Sequence, residues 1–264
     1  MANDERPGKP PALHGVLDDR PALRLEAVSK AFGGLRAVDA VSLTVRPGER
    51  RALIGPNGAG KTTLFNLVSG ALPVSSGTME LFGHDITGMP SHRRAALGLA
   101  RTFQITNLFR TLTVLQNCLL AVQALESTKF VMLRPLRRYR GLADRAREAL
   151  RAVGLGERAD TEVRHLSHGE QRQLEIALAL AGRPRVLLLD EPCAGLSPAE
   201  SHMMADLLRR LDPAITVLII EHDMDIALEI AHHVTVLHYG RVIADGLRDD
   251  VKANPLVREI YLGA

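Results

Sequence analysis

With 264 residues, 46% apolar and 24% charged, the chain has ordinary globular composition and length enough to bury one large core or two small ones. A net charge of +3 is too mild to point to DNA, and 3% aromatic content without tryptophan argues against a stacking surface for single-stranded nucleic acid. Cys118 and Cys193 form no CxxC pair, no apolar run approaches the ~20 residues of a membrane helix, and the amino terminus lacks a signal-peptide core, so the expectation is a cytoplasmic chain that reaches a membrane only through a partner.

Residues 1–20, rich in proline, glycine and charge, read as a disordered leader, with one folded domain over 21–264. Strand patterns then follow at Leu23–Val28, Val41–Val45, Arg50–Ile54 and Thr78–Phe82. From Ser91 to about Arg164 the chain shows little strand and several helical stretches. Thr113 and Gln116 have the spacing of a capping box, and Gly141–Val153 carries its charges on one face. This reads as a helical subdomain, about 91–165, inserted in an α/β core. Strands return at Val186–Asp190, Thr216–Glu221 and His233–Leu237. The runs Val186–Leu189 and Val217–Ile220 are apolar on both faces, as buried parallel strands are, with a helix predicted over Ser197–Leu211 between them. That βαβ unit predicts a mainly parallel sheet.

Gly55-Pro56-Asn57-Gly58-Ala59-Gly60-Lys61-Thr62-Thr63 is the phosphate-binding pattern GxxxxGK[ST], set between a predicted strand and a predicted helix. Its glycines let backbone amides wrap a phosphate chain, and the helix start adds its dipole. Lys61 is expected to neutralise the β- and γ-phosphates and Thr62 to offer its hydroxyl to Mg²⁺. The cofactors implied are ATP and Mg²⁺. A second element, Asp190-Glu191, ends the apolar strand 186–190. Alone, such a pair often begins a solvated turn. With a P-loop upstream, Asp190 reads as the Mg²⁺-holding carboxylate and Glu191 as the general base for an attacking water.

Leu166-Ser167-His168-Gly169-Glu170 opens a helix 23 residues before Asp190. Ser167 and the amide of Gly169 stand where a helix start can hold a γ-phosphate, although Ser167 is equally well an ordinary cap closed by Glu170. This run resembles the LSGGQ signature of ABC-type ATPases, with His168 and Glu170 in place of Gly and Gln. From residue 21 onward the whole chain resembles that family, in the order and spacing of its motifs.

The resemblance implies a P-loop NTPase (RecA-like) α/β core with an antiparallel β edge and a helical subdomain. It assigns Gln104, in Arg101-Thr102-Phe103-Gln104, to the Q-loop as a catalytic and metal-sensing residue. His222 becomes the γ-phosphate switch, Phe32 the adenine-stacking aromatic, and Ala194-Gly195-Leu196-Ser197 the D-loop, with Ser197 where many members have Asp. Each has a plainer reading as a surface or core residue. Within the family, ARTFQ, NLF, LSHGEQRQLEIALAL and the Tyr261-Leu262-Gly263 ending resemble ATPases of branched-chain amino-acid importers, with urea and amide importers similar. The resemblance therefore implies ATP hydrolysis coupled to transport, a second ATP-binding subunit paired head-to-tail, two permease subunits and an extracytoplasmic solute-binding protein, at the cytoplasmic face of the cell membrane. It places a permease groove near Gln104–Phe109, with Leu108 and Phe109 as partly exposed anchors. A nucleic-acid-directed ABC ATPase is the alternative class. Such proteins usually carry coiled coils or tandem cassettes, and this chain has neither.

Overall fold

The computed structural model describes residues 20–102, 108–124 and 140–262; the expected leader lies outside them except for Arg20. Along the chain run β1 (Leu23–Phe32), β2 (Leu35–Val45), β3 (Arg50–Ile54), α1 (Lys61–Ser69), β4 (Ser76–Leu81), β5 (His84–Asp85), α2 (Ser91–Ala96) and β6 (Leu99–Arg101). Then follow α3 (Val114–Ala124), α4 (Arg140–Ala152), α5 (His168–Leu180), β7 (Val186–Asp190), α6 (Pro198–Arg210), β8 (Thr216–Ile220) and α7 (Met224–Ile230). The chain continues through β9 (His233–His238), β10 (Arg241–Leu247), α8 (Arg248–Ala253) and α9 (Pro255–Leu262). No helix among the described residues is long and apolar enough to cross a membrane.

Two sheets carry the fold. One is antiparallel, in the order β2-β1-β4-β5; the other runs β10-β9-β3-β8-β7-β6 and is parallel except for β10. The parallel strands are buried on both faces, so alternate residues enter different cores. Ile54, Leu187, Leu189, Val217 and Ile219 pack with apolar residues of α3 to α7. Leu53, Val186, Leu188, Leu218 and Ile220 pack with Leu64 and Phe65 of α1 and with the antiparallel sheet. This is why the central strands read as unbroken apolar runs.

The structure departs from expectation in several places. β1 and β2 run on to a tight turn at Gly33-Gly34, well beyond the predicted 23–28 and 41–45. Phe82 and Glu221 fall just outside their strands. β6 lies within the stretch expected to be helical and pairs with β7 as an edge of the six-stranded sheet. Three residues are too few to show a period. β10 was not foreseen either, because an edge strand with Asp245 and Gly246 lacks an apolar pattern. It is held by Arg51, whose buried guanidinium bonds Asp245 at 2.7 Å and Thr235 at 3.2 Å. The Thr113–Gln116 capping box is present, with reciprocal bonds of 2.8 and 3.1 Å, and α4 matches the expected helix to within a residue at each end.

Helix α1 connects the P-loop to the core, and its far end is fastened by one buried cation. Arg94 of α2, 2% exposed, donates to the carbonyls of Leu67 at 2.6 Å and Val68 at 2.8 Å, and to Met89 at 2.7 Å. Helix-terminal carbonyls lack intrahelical partners, and buried ones need a donor. Replacing Arg94 with Met should therefore lower unfolding free energy by about 2–4 kcal/mol in urea titrations. A loss under about 1 kcal/mol would mean that water satisfies those carbonyls instead.

Candidate functional site

β3 ends at Ile54, and the chain turns through residues 55–60 into α1. The turn is wedged between two strands. Gly55, at φ +152°, would place a Cβ into the carbonyl oxygen of Leu237 at β9, and Gly60, at φ +102°, would place one into that of Ala37 on β2. Only glycine fits either position. α1 then begins without a side-chain cap and without an acidic residue in its first turn. Its first amides are left for an anion, and the helix dipole favours one. The α5 and α6 starts differ: Ser167 and Ser197 each close a capping box with Glu170 and Glu200.

Lys61 is 5% exposed, and its ammonium donates to the carbonyls of Gly55 at 2.6 Å and Pro56 at 3.1 Å. Burial lowers its pKa, while the carboxylates of Glu191 and Asp190 oppose that shift. The lysine expected at the phosphates and the two carboxylates expected at the metal and the water thus share one electrostatic neighbourhood.

β7 delivers both acids. Asp190 is the last strand residue and is buried; its Oδ2 pairs with Arg101 Nη2 at 2.8 Å. Its Oδ1 is buried with no hydrogen-bond partner among the described residues. Such an oxygen suits a cation or its water shell, and a glycine-walled turn with open helix amides suits a polyphosphate. The residues present therefore fit a metal–nucleotide pair. Glu191 follows at φ +51°, a left-handed conformation costing a non-glycine residue on the order of 1 kcal/mol. Its amide is held by Ile220 O at 3.0 Å, and its Oε1 lies 2.6 Å from His222 Nε2. Between them Glu221 is buried, and burial raises its pKa; its Oε1 accepts from the Cys193 amide at 3.0 Å. That bond ties the loop after Glu191 to the end of β8.

These elements line one cleft of about 410 Å³. Asn57, Gly58, Ala59, Gly60, Lys61, Thr62 and Thr63 form its floor, Glu191 and His222 one side, and Phe32 with Leu35 and Ala37 the other. Phe32 is 47% exposed, with Lys30 Nζ 5.2 Å from its ring centre. Nothing local marks Leu35 and Ala37 as cleft residues; apolar residues one and three places after a Gly-Gly turn carry no distinctive pattern. Arg101 was also missed, because a lone arginine at a strand end has many ordinary uses.

Not every expected residue meets there. Ser167 and Gly169 line a separate small groove with Leu196, Glu200 and Met203. Asp190 is buried and forms none of the cleft wall. Gln104, with Phe103, lies outside the described residues. Of the expected permease anchors, Phe109 is 56% exposed and Leu108 is half-buried, packed partly against the core. A larger, mostly apolar groove of about 630 Å³ lies between α2, β6, α3 and α5, walled by small residues such as Ala95, Ala121, Ala124 and Gly182.

Comparison with known proteins identifies the family. Residues 38–194 match the ABC transporter family, and residues 241–264 match a family described as branched-chain amino acid ATP-binding cassette transporter. The high-affinity branched-chain amino acid transport ATP-binding protein BraF of Pseudomonas aeruginosa is 39% identical over 251 residues, covering 92% of this chain and 98% of that protein. A probable branched-chain amino acid transport ATP-binding protein, LivG, of Archaeoglobus fulgidus is 38% identical over 245 residues, covering 92% and 95%. Among solved structures, the ADP conformation of MJ1267, an ATP-binding cassette of an ABC transporter, superposes with a TM-score of 0.82 at 33% identity, over 92% of this chain and 99% of that one. A nucleotide-free ATP-binding cassette from an ABC transporter gives 0.80 at 32% identity, over 92% and 100%. Matched over residues 38–194 and 39% identical to a curated ATP-binding protein over nearly its whole length, the chain belongs to the ABC transporter family as an ATP-binding cassette, an ATPase that powers transport.

Proposed function

We propose that this chain is the ATP-hydrolysing subunit of an importer for branched-chain amino acids, held at the cytoplasmic face of the membrane by permease subunits. The observation that carries the motor reading is the 2.6 Å contact between Glu191 and His222 at the side of the P-loop cleft. At that distance an imidazole N–H donates to the carboxylate, fixing its orientation toward the space above Lys61. Glu191 then accepts the proton of the attacking water. His222, on the cleft side of that pair, contacts the γ-phosphate. Lys61 and the α1 amides hold the phosphate chain, with Gly55, Pro56, Asn57, Gly58, Ala59, Gly60 and Thr63 shaping the cradle. Phe32 and Leu35 offer an apolar face to the adenine.

Thr62, Gln104 and Asp190 would hold Mg²⁺, which would supply positive charge to offset the charge that builds up on the phosphates. The separation of Ser167 and Gly169 from the cleft supports a second cassette. Each subunit then lends its signature to the nucleotide on the other, in a head-to-tail pair, either of two copies of this chain or with a related one. We assign residues 21–264 to one ATPase domain with a helical subdomain over about 91–165, which holds α3 and α4 and leads into Ser167. The apolar groove beside α2 and β6 is our assigned seat for a permease segment. A solute-binding protein outside the membrane would deliver the cargo.

The cargo rests on the relatives' names and on the C-terminal match. Uptake of labelled leucine, isoleucine and valine in a deletion strain tests it. Loss of their uptake is expected, and loss of urea or amide uptake instead would reassign the cargo and leave the motor in place.

Two further outcomes follow. Glu191→Gln should retain ATP affinity but slow turnover by about 10²- to 10⁴-fold, and should elute as an ATP-bound dimer on a sizing column. Undiminished hydrolysis would overturn the assignment of Glu191. Ala95→Glu combined with Ala124→Glu places two carboxylates at exposed positions of the apolar groove. Co-purification with permease subunits should be lost, while the isolated chain should bind ATP as before. Normal co-purification would move the docking site elsewhere.

A further inference from the structure

We propose that Arg101 is the positioning residue that sets the Asp190 carboxylate for cation binding, an inference resting on the assignment of Asp190 to the metal. Arg101 ends β6 and is buried against two other elements. One terminal nitrogen of its guanidinium, Nη2, bonds Asp190 Oδ2 at 2.8 Å, with 10% and 1% of the two side chains exposed. The other, Nη1, bonds Asn66 Oδ1 at 2.6 Å and Ser69 Oγ at 3.0 Å, both on α1. The guanidinium carbon also lies 6.0 Å from the ring centre of Phe65.

The fork therefore fastens the end of β7 to the helix that begins with Lys61 and Thr62. With Oδ2 engaged, rotation of the carboxylate is restrained, and the oxygen left unpartnered among the described residues is Oδ1. A lysine carries the same charge but has no rigid fork, so it cannot hold both anchors in one plane. Outer partners that orient a ligand carboxylate typically matter by 10- to 100-fold in metal affinity. A purely structural pair would affect stability without favouring the metal-bound nucleotide.

The test is the ratio of affinities for a non-hydrolysable ATP analogue with Mg²⁺ and with EDTA, measured by calorimetry on the full chain. Arg101→Met should lower that ratio by about tenfold while the EDTA affinity stays within about twofold, and Arg101→Lys should recover only part of the loss. Asp190→Asn is the control. If it lowers the ratio and a folded Arg101→Met does not, the role of Arg101 is overturned and the metal assignment stands. If Asp190→Asn leaves the ratio unchanged, the metal assignment falls and Arg101 with it. Should Arg101→Met fail to fold, Asn66→Ala with Ser69→Ala decides. It removes only the α1 anchors, and a fall of about threefold is expected, an unchanged ratio overturning the proposal.

Discussion

Everything at the nucleotide cleft depends on the register of three parallel strands. Leu53 of β3 and Asp190 of β7 both pair with Ile220 of β8. The chain therefore leaves all three strands at one sheet edge, where Gly55, Glu191 and His222 emerge within reach of one ligand. That register is enforced from both faces at once. A slip of one residue would send Leu187, Leu189, Val217 and Ile219 into the wrong core. The hydrophobic effect, which has no chemical interest in phosphate, thus sets the relative positions of Gly55, Glu191 and His222. Ligand sites at the carboxyl ends of parallel strands follow from the same geometry.

Charge is then placed where the core would otherwise reject it. Lys61, Asp190 and Glu221 are all buried, and each is held by a specific partner: P-loop carbonyls, Arg101 and the Cys193 amide. Buried groups of this kind are costly unless bonded, and once bonded they are rigid. Rigidity is useful here. Electrostatic stabilisation of phosphoryl transfer works through donors and carboxylates that need not reorganise during the reaction. The strained backbone at Glu191 belongs to the same economy of placement, since it turns the carboxylate out of the strand line and onto His222.

A cassette that hydrolyses ATP must also report the event. The cleft, the groove at Ser167 and the apolar groove are separate surfaces, but packed side chains link the elements that line them. Glu200 caps α6 through Ser197, and its Oε1 lies where a methyl group on Gly169 would meet it at 3.2 Å, so the D-loop and signature helices are in contact. Arg101 bonds Asp190 and also forms part of the wall of the apolar groove. Packed interiors shift as units, so Asp190 and the lining of that groove share a mechanical neighbour.

What the amino-acid order alone determined here is the chemistry that sits in contiguous motifs. Gly55 to Thr63, Asp190-Glu191 and Ser167 with Glu170 each need only neighbours along the chain: a strand before, a helix after, a cap three residues on. Glycine's freedom and capping-box spacing are local properties, and the central strands advertise themselves because both faces are buried. Tertiary structure decided the remainder. β6 and β10 exist because a sheet edge was available to pair with them, and their sequences lack the period that would say so. Leu35 and Ala37 joined the cleft because β2 folds back beside the P-loop. Arg101 met Asp190, 89 positions further along the sequence, only once β6 docked on β7. The separation of Ser167 from the cleft of its own chain is likewise a matter of where α5 packs, and long-range packing leaves no trace in local periodicity.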